Sequence, residues 1–184
     1  MEYLLSKVKK THFILIFLII ILTTIVSFTL AYLNLKSIKA NVFEIGKVDV
    51  EVHENFDELN GIKKDVYFKN MGNVYSYIRA EILYYFIDKE NNILFEEPIE
   101  NVDYSIDLSS DDWFLGNDGF YYYKKKVLPN ENTKNLINEC IKLKTYEDKT
   151  LVVEVVAQAI QANPNTAAIE TWKVEIENGE IVSR

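Results

Sequence analysis

Cysteine is almost absent from this 184-residue chain, where Cys140 stands alone. One thiol excludes any disulfide within the chain, so the fold rests on packing and hydrogen bonding. Cys140 itself reads as a small buried hydrophobe or, alternatively, as a link between chains. Histidine is nearly as scarce: His12 lies beside a long apolar run, and His53-Glu54 has no second histidine at zinc-protease spacing. A zinc site needs three or four good ligands, so neither a metal nor a cofactor is expected, and His53 reads as a polar residue at a strand end. The six glycines are scattered at turn-like positions and form no phosphate-binding loop. Ser109 and Ser110 have no histidine nearby in sequence, and Asp111, Asp112 and Asp118 lack the alternating oxygen ligands of a calcium loop. No catalytic residue is assigned, and the chain reads as a non-enzyme.

Positive charge is in short supply beyond residue 31. Residues 32–184 carry 17 basic and 27 acidic side chains, a formal charge of −10. Such a surface repels nucleic acid and anionic lipid, so neither is an expected partner of this part. Lys124, Lys125 and Lys126, which follow three tyrosines, read as edge-strand lysines that discourage unwanted pairing, in preference to a polyanion site. There is no internal repeat and no low-complexity tract.

What the chain has in plenty is apolar and aromatic sequence. Phe13 to Leu33 is a run of 21 residues without a charge, preceded by Lys7, Lys9 and Lys10. Its length suits a helix crossing a hydrocarbon core, and the lysine flank orients everything after Leu33 outside the cell. By length alone the run favours an uncleaved anchor. A signal peptide cut after the small-residue site Thr29-Leu30-Ala31, leaving Tyr32 as the new N-terminus, is the competing reading.

Beyond Ala40 the chain reads as successive strands. Asn41–His53 ends in strict alternation, with Val48, Val50 and Val52 opposed to Asp49 and Glu51. Gly61–Asn70 places Ile62, Lys64, Val66 and Phe68 on one face, and a turn at 70–73 leads into Val74–Asp88, the best core strand. Glu96–Asp112 reads as an irregular surface excursion. Residues 113–115 and 120–128, joined by Gly116-Asn117-Asp118-Gly119, read as a hairpin ended by Pro129. Leu136–Leu143 has both a helical and a strand-like pattern and is read as a loop leading into a strand. Leu151–Ala162 and Trp172–Glu177 complete about seven strands, an all-β antiparallel sandwich.

Several stretches resemble one known family. NVFEIGKVDVEV after an apolar leader (Asn41, Phe43, Gly46, Val48), KKDVYFKNMGNVYSYIRAEI (Asn70, Gly72, Tyr77, Arg79), DGFYYYKKKVLPNENT (Asp118, Gly119, Tyr122, Tyr123, Pro129), VVAQAIQA (Ala159, Gln161) and TWKV (Trp172) occur in the order found in TasA/camelysin-like proteins. These are Gram-positive biofilm matrix proteins exported through a dedicated SipW-type signal peptidase. The resemblance implies a jelly-roll-like sandwich over residues 41–184, secreted after removal of residues 1–31, that assembles into extracellular fibres. It implies as partners other copies of itself, other matrix proteins, the dedicated peptidase, and the membrane only through the N-terminal segment. Under this reading Tyr32, Leu33, Asn34, Leu35, Lys36, Ser37 and Ile38 belong to a flexible connector, residues 32–40, freed by cleavage to add as a strand to a neighbouring subunit. The alternative is an anchored or secreted surface protein or adhesin that never polymerises. The stretch after Ala31 departs from the family, lacking its acidic or threonine-containing sequence. A metalloprotease role ascribed to some members is not carried over, because the ligand set is missing.

Overall fold

The computed structural model describes residues 18–29 and 46–184. These fall into separate units. In the first, α1 (residues 18–29), the hydroxyls of Thr23, Thr24, Ser27 and Thr29 all donate to carbonyls three or four residues back, at 2.8–2.9 Å. Its polar side chains are thereby satisfied within the helix, while Leu18, Ile20, Ile25 and Phe28 point outward. Among the described residues, no helix is long and apolar enough to cross a membrane. The expected leader 1–31 otherwise lies outside the described residues.

The second unit begins at Gly46. Its strands are β1 (Val50–Asp57), β2 (Ile62–Asn70), β3 (Ser76–Asp88), β4 (Tyr104–Leu108), β5 (Trp113–Leu115), β6 (Tyr121–Tyr123), β7 (Ile137–Lys142), β8 (Lys149–Gln161), β9 (Glu175–Glu177) and β10 (Glu180–Ser183), with helix α2 (Thr166–Trp172) before β9. Two antiparallel four-stranded sheets form, ordered β1-β2-β7-β4 and β5-β6-β3-β8, plus the β9-β10 hairpin. The all-β expectation therefore holds for residues 46–184.

Period-two patterning explains the larger core. On β3, Ile78, Ala80, Ile82 and Phe86 face inward, and their partners Ala159, Ala157, Val155 and Leu151 on β8 share that face. Opposite them lie Val66 and Phe68 of β2, Ile137 and Cys140 of β7, and Tyr104 of β4. Phe68 packs edge-on to Trp113 at 5.4 Å, and Tyr84 stacks on Tyr104 at 4.6 Å. The second core is on the outer face of the β3 sheet. There Tyr77 and Tyr122 are covered by Ala168, Trp172, Val174 and Ile181 of the C-terminal extension.

Five sequence expectations change. On β2, Asp65 adopts a positive φ of 53° and the β1–β2 register shifts between His53 and Asn55, a bulge that reverses parity. Lys63 therefore faces inward and Lys64 outward, with Lys64 pairing Glu139 at 2.7 Å. A matching shift occurs between β4 and β7, which lets both Ile137 and Cys140 point inward. The helix-like spacing of Leu136–Leu143 is thus a bulged central strand. The supposed excursion Glu96–Asp112 contains β4, and Trp172 ends α2 instead of opening a strand. Lys124–Lys126 lie past the end of β6, an inner strand. Lys124 donates to the Ser110 and Asp111 carbonyls at 3.3 and 2.6 Å, and Lys125 pairs with Asp112 at 2.7 Å. Lys124 and Lys125 pin a loop and guard no edge.

Candidate functional site

The motif residues that are far apart in sequence converge in two places. The first is built on the outer face of β3. Arg79 lies opposite Gln158 on β8 and Tyr122 on β6, so all three side chains project to one side. Arg79 donates from Nε and Nη2 to Gln158 Oε1 at 2.9 and 2.7 Å, and from Nη1 to the Tyr122 hydroxyl at 2.9 Å. The Tyr122 hydroxyl in turn donates to Asp118 Oδ2 at 2.8 Å, and Asp118 lies 3.4 Å from Arg79 Nη1 and 2.9 Å from Arg184 Nε. The guanidinium carbon sits 4.0 Å from the Phe120 ring centre and 4.8 Å from that of Trp172. Burial raises the Tyr122 phenol above its usual range; the Arg79 bond opposes that shift and the Asp118 bond adds to it.

This cluster ties down the C-terminal extension. Arg184 also donates to the Trp172 carbonyl at 3.0 Å and to Asn117 at 2.9 Å, while the Tyr77 hydroxyl reaches the Gly179 carbonyl at 3.0 Å. Gly119, with φ of 86°, turns the loop that delivers Asp118. With its fork spent on Gln158, Tyr122 and Asp118 and its faces on aromatic rings, Arg79 acts as a clamp. Gln158, Phe120 and Arg184 were not singled out in the sequence. Gln158 left a faint trace there, as a polar interruption in an apolar strand.

The second convergence joins the two ends of the β2–β3 turn to the first residues of the second unit. The Asn70 amide donates to the Val74 and Val127 carbonyls at 2.8 and 3.0 Å, and its Oδ1 accepts from Gly72 N at 2.9 Å. Met71 N donates to Asp49 O and Asn73 N to Lys47 O, so residues 47–49 lie against this turn. A Cβ on Gly72 would sit 2.2 Å from the Lys47 carbonyl, which explains glycine there. The segment after Pro129 closes the joint: Asn130 N bonds the Asn70 carbonyl at 2.8 Å, and Thr133 Oγ1 accepts from Phe68 N at 3.0 Å. Gly46 and Val48 belong to this joint. Tyr123 packs on Trp113, Ala159 faces the main core, and Gln161 pairs with Ser76. Ala31, Tyr32, Leu33, Asn34, Leu35, Lys36, Ser37, Ile38, Asn41 and Phe43 lie outside the described residues.

A third feature was invisible in the sequence. Each sheet ends, on the same side, in an edge strand: β1 in one and β8 in the other. Between them opens a cavity of about 370 Å³ lined by Glu54, Phe56, Lys63, Cys140, Leu151 and Val153 among others. Lys63, only 9% exposed, pairs there with Glu54 at 2.7 Å. Burial pushes the Cys140 thiol up to about 11, opposed by Lys63, so the sulfur stays protonated and inert. Among the described residues, no group of His, Cys, Asp or Glu is placed to hold a metal ion. Comparison of the chain with protein-family models, curated proteins and solved structures finds no match. The fold and site define an antiparallel two-sheet β protein with clamped ends and open edges.

Proposed function

We propose that this protein is a secreted structural subunit of extracellular biofilm matrix fibres. In this reading residues 41–184 form a jelly-roll-like sandwich of the TasA/camelysin-like kind, and subunits join head-to-tail by strand addition once the leader is removed. The observation that carries it is the free edge of β8, a 13-residue strand bonded only to β3 among the described residues. A long unpaired edge rich in valine is a template for another strand, and a head-to-tail contact of that kind propagates instead of closing. The convergence of the ordered motif residues into one clamp and one joint adds support, since both would keep the subunit rigid under such a contact. Signal cleavage after Ala31 by a dedicated peptidase would free Tyr32–Ala40 as the donated segment.

Intact mass and negative-stain imaging of the secreted protein, with and without Tyr32–Ala40, test this together. A chain beginning at Tyr32 that forms fibres, and a shortened one that does not, is the expected result. Equal fibres from both would remove strand donation from the account. The apolar exterior of α1 favours a second reading, an anchored surface protein that does not polymerise. Recovery of the chain in membrane fractions with residues 1–31 attached would establish it.

A further inference from the structure

Part of β3 and part of β8 are apolar on both faces. Ile82–Ile87 reads ILYYFI, and Leu151–Val156 is interrupted only by Glu154. In an antiparallel sheet with one wet face, apolar residues alternate with polar ones; a continuous run marks strands covered on both sides. The inner face has its cover in the sheet of β1, β2, β7 and β4. On the outer face, six rows of opposed residues run from Tyr77–Ile160 to Ile87–Thr150. The C-terminal extension covers the first two, where Trp172 packs on Tyr122 and Arg79. The other four, Glu81–Val156, Leu83–Glu154, Tyr85–Val152 and Ile87–Thr150, belong to neither core. Ile93 lengthens this bare strip: its bridge to Ile87 puts it on the same face, and it is 66% exposed.

The shape of the strip selects its occupant. β6 reaches only as far as Tyr121, opposite Ala80, and β8 has no second neighbour among the described strands, so the strip is two strands wide. At roughly 4.8 Å between strands and 3.4 Å per residue, it measures about 10 Å by 20 Å. A single helix of about 14 residues has that width and length. The covered rows already show this solution, since α2 lies on them through Ala168 and Trp172.

Charge sets a second condition. The bare rows hold Glu81 and Glu154 and no base, whereas the covered rows hold Arg79. The Tyr85 hydroxyl donates to Glu154 at 2.9 Å and so fixes one of these carboxylates on the strip. A second copy laid face to face would bring like charges together. Of the described helices, α1 has no charge and α2 is spent on its own sheet. We infer that this strip is a docking surface for a basic amphipathic helix of another protein. Its aliphatic stripe packs on Leu83, Tyr85, Val152 and Val156, and its lysines or arginines pair with Glu81 and Glu154. Strand addition, which uses sheet edges and not this face, has no part in the inference.

A labelled peptide of about 14 residues, with leucine and lysine at helical spacing, tests it by fluorescence anisotropy on the secreted protein. One peptide should bind per chain, and a version with glutamate for lysine, or with the same residues in strict alternation, should not. Val156→Lys, at a position already 37% exposed, should leave the Tm unchanged and weaken binding about tenfold, because it buries an unpaired charge. Thr150→Lys, at an exposed position of the same strip, repeats that test should Val156→Lys fail to fold. Glu81→Gln with Glu154→Gln should weaken binding about fivefold, as expected for two ion pairs at a surface. The same change at Glu131 and Glu177, exposed elsewhere, should have no effect. Equal loss from that distant pair, or binding untouched by both lysine variants, reduces the interaction to general charge attraction and overturns the site. Binding of the glutamate or alternating peptide overturns the basic helix as its occupant. A dimer in sedimentation velocity that Val156→Lys dissociates would make a second copy the occupant and overturn the assignment to another protein.

Discussion

Arg79 and Asp103 each tie down a part of the chain through several polar bonds. Arg79 and Asp118 are both mostly buried, with 14% and 16% of their side chains exposed. Arg79→Met removes the clamp and leaves Asp118 to Arg184 and Tyr122, so we expect a loss of about 3 kcal/mol in denaturant unfolding. Hydrogen exchange should rise in residues 166–184 before it rises in β3. Asp103 is also buried and accepts from the Tyr146 hydroxyl and, at 2.8 Å, from Ile99 N. The Tyr146 bond first, then the Ile99 amide, holds its carboxyl below the ordinary value of 3.8. A depressed folded value means stabilisation that is full above 3.8 and is lost as pH falls through the folded value. Asp103→Asn should therefore lower the Tm at neutral pH, with the gap from the unaltered protein closing in acid.

At the scale of elements, the joint between residues 47–49 and the β2–β3 turn decides where β1 begins. Its weak point is Gly72, which has no room for a side chain against the Lys47 carbonyl. Gly72→Ala should cost about 2 kcal/mol, measured by thermal or urea unfolding, and should expose the Met71 and Asn73 amides to exchange. The strands themselves were largely legible in the residues. β2, β3 and β8 match the expected segments within a few residues because alternation and turn chemistry are local. Four elements were not, among them β10, which lies beyond the last expected strand, Trp172–Glu177. β4 is short and sits in an acidic stretch whose pattern says surface. β7 shows a bulged spacing that imitates a helix, since Ile137 and Cys140 both reach the core. α2 is a seven-residue helix held by the contacts of Ala168 and Trp172 with the second core, which no local pattern reveals.

For the whole molecule, the described fold closes its ends and leaves its sides open. The clamp and the joint secure the termini of residues 46–184, while β1 and β8 have no second neighbour among the described strands. Residues 32–40 precede the first residue of this unit. Deleting Tyr32–Ala40 should therefore leave the Tm unchanged within error while sedimentation velocity shows monomers in place of long assemblies. A drop in Tm would mean that the segment belongs to its own subunit's fold.

Composition and periodicity alone determined that this chain has no internal disulfide, that its main body is an acidic antiparallel β structure, and that residues 74–88 and 151–162 form strands of it. Each of these follows from counts or from alternation along a strand, which are local properties. The tertiary structure alone decided that Lys63 turns inward, that Arg79, Asp118, Tyr122 and Trp172 meet, and that β1 and β8 border one cleft. These depend on a bulge at Asp65 and on pairings between residues dozens of positions apart. The free energy of such pairings comes from surfaces that do not exist until the sheets pack.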